Sequence, residues 1–488
     1  MTAHIQDDRA LAPRRLPTRI PGLDAVLEGG LLEGDSYLVI GDPGTGKTTL
    51  GNQLAFAHAA SGRTAVYVTL LAESHERLML HQRRFEFFDQ EEVGRRVHYV
   101  SVLSALVENG LEGLGDAVRR LVRQFDATLL ILDGMSAAEQ EAESGYALGR
   151  LTHRLQTHLE LMGCTTVLLS SGRTDEAGST LTHVDGVIEL FNVSADSQDV
   201  RELRVMKLRG SGYLSGRHEF TIDAAGMSVF PRLEAVYASR PAGALREERV
   251  STGIAGLDQL LNGGLFRQSS TMVLGTPGAG KTVLALHYLA AALENDEPAL
   301  LATFQETQES VIATAQRIGL PLGESLDRGN FRVMWRSPLE LSPDAWAWQL
   351  LQEVDAHQSR RVVIDTLSDL TRHFRYPERI PSFLQALTKA LRSQGITTLL
   401  LLEIDVLVGS ELVVPVPNVS AITDVGLVLR TVELDSELQR TLAIQKMRMS
   451  GFDGSLRHVK IDSSGMHVDE PFKSGPGALT GIPRQRQA

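Results

Sequence analysis

Cysteine is almost missing from this chain: Cys164 is the only one in 488 residues. No intrachain disulfide can form, and no cysteine cluster can hold zinc or an iron–sulfur centre. No apolar run approaches the ~20 residues that span a bilayer. The opening MTAHIQDDRALAPRR lacks the apolar centre of a signal peptide. An excess of positive charge is also absent. Forty-eight basic residues stand against 60 acidic ones, a formal charge of −12. That balance does not favour a general polyanion binder, although it leaves room for a local basic patch. These absences lead to the expectation of a soluble, cytoplasmic protein that does not enter a membrane.

What is present is enough apolar material for real cores: 43% hydrophobic and 22% charged residues. At about 150 residues per domain the length suits three domains, or two larger ones. An internal repeat decides for two. The first copy reads TRIPGLD at 18–24, a Gly-Gly-Leu turn at 29–31, and GDPGTGKT at 41–48. The second reads TGIAGLD at 252–258, Gly-Gly-Leu at 263–265, and GTPGAGKT at 275–282. Later, KLRGSGY at 207–213 returns as KMRMSGF at 446–452. The expected domains are 16–240 and 241–470, with a polar, proline-containing linker within Ala238–Arg249. Residues 1–15 and 471–488 are expected to be flexible ends.

Each copy has an α/β rhythm. Ser36–Ile40, Thr64–Leu70, Ala127–Leu132 and Thr165–Ser170 read as strands. Thr49–Ala60 and Ser74–Phe88 read as helices. Thr271–Leu274, Ala299–Phe304, Arg361–Ile364 and Thr397–Leu402 take the strand roles in the second copy. Continuous apolar strands separated by helices predict a mostly parallel sheet covered on both faces.

Both glycine-rich segments match G-x-x-x-x-G-K-[ST], after an apolar strand and before a helix. In such a loop backbone N–H groups face phosphate oxygens. The candidate phosphate-binding residues are Gly41, Asp42, Pro43, Gly44, Thr45, Gly46, Lys47, Thr48 and Thr49. In the second copy they are Gly275, Thr276, Pro277, Gly278, Ala279, Gly280, Lys281, Thr282 and Val283. Lys47 and Lys281 suit the β and γ phosphates; Thr48 and Thr282 suit Mg²⁺. Asp133 and Asp365 end apolar strands and are candidates to orient that metal through water. Glu73 and Glu306 follow the second strand and are candidates to polarise the attacking water. Glu76 and Glu309 are rivals placed farther into a helix. Lys207 and Arg209, and Lys446 and Arg448, alternate along strand-like segments. They are candidate cations for transition-state charge, or else an ordinary solvated strand edge.

Taken together, these motifs resemble the KaiC/RadA branch of the RecA-like ATPases, and more narrowly a double-domain KaiC-like protein, over about residues 16–465. The resemblance implies tandem RecA-like P-loop domains, ATP and Mg²⁺ as ligands, and hexameric rings of two tiers. It also implies nucleotide between adjacent subunits, so that Lys207/Arg209 and Lys446/Arg448 reach a neighbour's ATP. Clock members of the family carry two adjacent glutamates after the second strand. Here the first is Ala72 in one copy and Gln305 in the other. The stretch that matches the family's phosphorylated Ser-Thr pair is Val419–Asp424, where Ser420 stays, Ala421 replaces its partner and Thr423 lies nearby. Two-site autophosphorylation is therefore not expected to operate unchanged.

Three function classes follow. The first is a slow ring ATPase that switches shape and recruits a protein signalling partner. The second is an autokinase acting on Ser420 or Thr423. The third is a RadA-like DNA-dependent ATPase, disfavoured because SGRTDEAGST at 171–180 is near neutral and IDVLVGSELVVPVPN at 404–418 is acidic and apolar. His75, His81 and His98 lack the spacing of a zinc site. Phe85, Phe87 and Phe88 read as core or interface. Trp335, Trp346 and Trp348 suit core or a subunit contact, and Cys164 suits a buried apolar position.

Overall fold

A computed structural model describes residues 14–70, 75–142, 144–172, 180–195, 198–239, 241, 243, 246–404, 419–434 and 437–471. The chain divides into two compact units, with the boundary between Ala235 and Val236.

In the first unit nine strands form one sheet. They are β1 (Ser36–Gly41), β2 (Ala65–Thr69), β3 (Val97–Ser101), β4 (Leu129–Asp133), β5 (Thr165–Ser171), β6 (Gly186–Ala195), β7 (Gln198–Leu208), β8 (Arg217–Asp223) and β9 (Gly226–Phe230). Their spatial order is β9-β8-β7-β6-β1-β5-β4-β2-β3. The six from β6 to β3 are parallel; β7, β8 and β9 add antiparallel. The change of direction follows from chain length. Only two residues separate β6 from β7, enough for a hairpin and far too few for a crossover.

The second unit repeats the plan with β10 (Ser270–Gly275), β11 (Ala299–Thr303), β12 (Phe331–Trp335), β13 (Arg361–Asp365), β14 (Thr397–Glu403), β15 (Val425–Leu434), β16 (Glu437–Met447), β17 (Arg457–Asp462) and β18 (Gly465–Pro471). Their order is β12-β11-β13-β14-β10-β15-β16-β17-β18. The predicted mostly parallel α/β architecture is present in both units.

Successive side chains of a strand point to opposite faces, and here both faces are dry. Tyr37 and Val39 of β1, with Tyr67, Ile131, Val167 and Leu169, pack under Leu50, Leu54 and Phe56 of helix α1 (Lys47–Ala59). The alternate residues Leu38, Ile40, Val66, Val68, Leu130 and Leu132 pack against Leu106, Leu114, Val118 and Leu148 on the other side. That is why these strands read as unbroken apolar runs. Helix α2 (Lys281–Leu293) holds the same place in the second unit, with Leu284, Leu286 and Leu289 in the core.

The repeated opener is a buried polar clasp. Thr18 Oγ1 donates to Asp24 Oδ1 at 2.7 Å, and Thr252 Oγ1 donates to Asp258 Oδ1 at 2.7 Å. Beside each clasp an arginine outside the predicted motif binds two carbonyls: Arg15 takes Leu27 and Gly30, and Arg249 takes Leu261 and Gly264.

The expected helix over 74–88 is a correction. It runs only from His75 to Gln82. Phe85, Phe87 and Phe88 do not share one helical face, and turns place Phe87 and Phe88 against Phe56 of α1. The three tryptophans divide: Trp346 is 1% exposed, Trp335 is 42% exposed and Trp348 is half-buried. Trp346 packs 5.3 Å from the Phe304 ring, while its indole N–H has no hydrogen-bond partner among the described residues. Trp346→Ala should cost the second unit about 3–5 kcal/mol through lost burial and a cavity. Trp346→Phe should cost much less, because no hydrogen bond is lost. Denaturant titration of the two variants checks the order.

Candidate nucleotide sites

Both glycine-rich loops leave the carboxyl end of the central strand, β1 or β10, and enter α1 or α2. This is where α/β sheets of this kind place their ligands. Gly46 and Gly280 have φ of 103° and 105°, and a Cβ on either would strike Ile222 or Ile461. Gly44 and Gly278 also have positive φ, but a Cβ there would meet open space. The loops therefore press on the protein at one glycine and open outward at the other, a cradle of the shape a phosphate chain requires.

In the first unit Lys47 Nζ donates to Gly41 O at 2.7 Å and Asp42 O at 3.0 Å. Burial lowers its pKa from the ordinary lysine value, opposed by Asp133 and Asp42. Thr48 Oγ1 donates to Asp133 Oδ2 at 2.9 Å, and Tyr67 OH donates to the same oxygen at 2.6 Å. Burial raises the Asp133 pKa, while the Tyr67 and Thr48 hydrogen bonds and Lys47 oppose the rise. Glu73 lies outside the described residues, as does Ala72.

In the second unit Lys281 Nζ donates to Gly275 O at 2.9 Å and Thr276 O at 3.0 Å. Thr282 Oγ1 donates to Asp365 Oδ2 at 2.8 Å. Burial, with the charges of Glu306 and Asp369 adding to it, pushes Asp365 up to about 6 against the Thr282 hydrogen bond and Lys281. Lys281, Thr282 and Asp365 line a cavity of about 440 Å³ together with Gln305, Glu306, Thr303, Glu403, Arg440 and Ile461. Glu306 is half-buried, and its carboxylate accepts from Ser310 Oγ at 3.2 Å. Its rival Glu309 is exposed.

The oxygen donors suit magnesium. A threonine hydroxyl and a carboxylate meet at each loop, and among the described residues no cluster of three His, Cys, Asp or Glu could hold a metal alone. Magnesium keeps water and phosphate ligands and needs only one or two from the protein.

The basic pairs lie elsewhere. Lys207 pairs across β6 with Val187, which is level with Leu38 of β1. Arg209 follows the end of β7 and takes Asp185 O through its backbone N–H. They sit roughly 10 Å and 17 Å back along the sheet from Gly41, at its amino edge. Lys207 Nζ donates to Leu181 O and Val184 O, and Arg209 pairs with Asp185 at 3.5 Å. Lys446 donates to Thr423 O and Arg448 stands 3.9 Å from Asp424 in the matching place. Neither pair faces the phosphate loop of its own unit.

Several contributors escaped sequence reading. Tyr67 is a strand residue that looks like core. Glu403 becomes visible only through register, since β14 sets it beside Gly275. Arg440 Nε donates to Gly278 O at 3.1 Å. Arg440 did leave a signal: Arg201 precedes it by the same 239 residues that separate Lys207 from Lys446.

The fold and these two loop-centred sites define a tandem P-loop ATPase built from RecA-like units. The KaiC ATPase family profile matches residues 16–234 and again 250–473, and the chain belongs to that family. It is 27% identical to the circadian clock oscillator protein KaiC of Thermostichus vulcanus, covering 96% of this chain and 92% of the relative. It is also 27% identical to the circadian clock protein KaiC3 of Synechocystis sp., covering 96% and 94%. Against the KaiC of Synechococcus elongatus identity is 26%, with 99% and 94% covered. The protein is an ATP-binding ATPase of the KaiC type. Among the described residues no helix is long and apolar enough to cross a membrane.

Proposed function

We propose that both units bind Mg²⁺–ATP and hydrolyse it slowly in a homo-oligomeric ring of two tiers, hexameric as in the family resemblance. Its changes of shape would be read by a cytoplasmic protein signalling partner. The observation that carries this reading is one cavity shared by Lys281, Thr282, Asp365 and Glu306.

In that cavity Thr282 and, through water, Asp365 would hold Mg²⁺, which neutralises phosphate charge. Lys281 leaves its two carbonyls for the β and γ oxygens. Glu306 holds the attacking water and takes its proton as the oxygen–phosphorus bond forms. Thr48, Asp133, Lys47 and Glu73 take the same roles in the first unit. Lys207/Arg209 and Lys446/Arg448 would serve a neighbouring subunit's nucleotide, as the family resemblance implies; their distance from the loop of their own unit supports that reading. That division of labour supports the ring.

Two observations weigh against the autokinase reading. Thr423 is only 1% exposed, and Gln305 in place of an acid cannot take a hydroxyl proton. The Ser420 side chain lies outside the described residues. So do residues 173–179 and 405–418 of the loops that a DNA-dependent ATPase would aim at its substrate. The acidic chain and the near-neutral or acidic sequence of those loops support a protein partner over nucleic acid.

The test follows γ-labelled ATP into free phosphate and into protein, with and without DNA. Slow, DNA-independent release with no retained label is expected. Label that stays on the protein and disappears with Ser420→Ala would put the kinase reading first.

A further inference from the structure

Gln305 stands where the resemblance places an acid, yet it is held in a definite way. Its Nε2 donates to Asp369 Oδ2 at 2.9 Å. Thr366 Oγ1 donates to the same carboxylate oxygen at 3.3 Å, and Arg372 stands 3.9 Å from the other. Asp369 is 6% exposed on the helix that follows β13, four residues after Asp365. Gln305 itself lines the cavity with Glu306 and Lys281.

The chemistry of an amide makes this arrangement directional. A glutamine side chain has a donor end and an acceptor end. A carboxylate accepts, so Asp369 takes the NH₂ end of Gln305 and leaves the carbonyl Oε1 as the free end. That oxygen has no partner among the described residues. The first unit has neither member. The positions equivalent by repeat are Ala72 and Ala137, so the pair is specific to the second unit.

We propose that Asp369 is a positioning residue, fixing Gln305 so that Oε1 and the Glu306 carboxylate together hold the water that attacks ATP in the second unit. The inference rests on the ATPase reading and deepens it. Water's oxygen forms a bond to the γ phosphorus, and the bond to the bridging oxygen breaks with its electron pair leaving on ADP. The water proton goes to Glu306. Gln305 accepts the other hydrogen as a hydrogen bond and undergoes no protonation. A glutamine that orients attacking water is a known solution in other P-loop hydrolases. The second unit therefore keeps a complete water-holding pair, with the amide doing by orientation what a second acid does by charge.

The experiment uses the full chain carrying Glu73→Gln, which silences proton abstraction in the first unit and leaves its phosphate loop intact. On that parent, Asp369→Asn, Gln305→Ala and the double variant are compared for kcat, KM and heat stability. Asp369→Asn is the decisive change. It keeps size, but an asparagine can offer Gln305 either its NH₂ or its Oδ1, so the amide loses its single orientation. Each single variant should lower kcat about 10- to 100-fold with KM for ATP unchanged, the cost of misplacing a reactant. The double variant should be no slower than Gln305→Ala alone, since both act through one amide. Full activity in Asp369→Asn, or additive losses in the double variant, would overturn the proposal and leave the ATPase reading standing. A parent with no turnover that Glu306 substitution can remove would overturn both. A drop in melting temperature with unchanged kcat would reduce Asp369 to a structural role.

Discussion

Lys281→Ala should empty the second site and Lys47→Ala the first, each removing its share of ATP turnover; together they should remove essentially all of it. Each amine is folded back on two carbonyls of its own loop and buried there. Burial lowers the pKa of both, so each cation sits in a place that disfavours its charge. A polyphosphate beside it reverses that cost, and the ammonium trades neutral carbonyls for charged oxygens. Removing one such preorganised donor costs about 10²–10³ in rate in comparable sites. Calorimetric titration with ATP and a phosphate-release assay check occupancy and turnover separately. Undiminished turnover in the double variant would remove both loops from the chemistry.

Glu306→Gln should instead leave ATP bound and slow its hydrolysis in the second unit. Loss of a general base typically costs about 10²–10⁴. The substitution keeps the side chain's size and can preserve the contact with Ser310, so folding should be untouched. It also removes one of the negative charges that raise Asp365. Metal binding should change little, because the Thr282 hydroxyl and the Asp365 carboxylate both remain. Single-turnover measurement on a Glu73→Gln background isolates the step. An unchanged rate there would transfer the base role to another group.

The parallel heart of each sheet was legible because strands covered on both faces must be apolar at every position. Both phosphate loops were legible because spacing alone defines them. The nearness of Asp133, Asp365 and Glu306 to the loops was legible too, since a strand end next to such a loop has little choice of neighbour. The antiparallel additions were harder. RELRVMKLRG mixes charge with apolar residues, and only the short spacing between β6 and β7 limits its direction. The helix beginning at His75 was overrun because helical pattern says nothing of Phe87 and Phe88 folding back on Phe56. The bond between Gln305 and Asp369 was invisible for a different reason: 64 residues separate them, and only the pairing of β11 with β13 brings them together.

The basic pair and the phosphate loop stand toward opposite edges of the same sheet, so in the proposed ring no unit would complete its own site. In that ring a chain altered at Arg209 would keep a sound pocket and spoil the one next door. A chain altered at Lys47 would spoil its own and still serve its neighbour. Two alleles, each silent alone, would thus restore function when expressed together, wherever the sound pocket of one meets the sound arginine of the other. A damaged copy mixed with normal ones would, by the same geometry, reach beyond itself and behave as dominant.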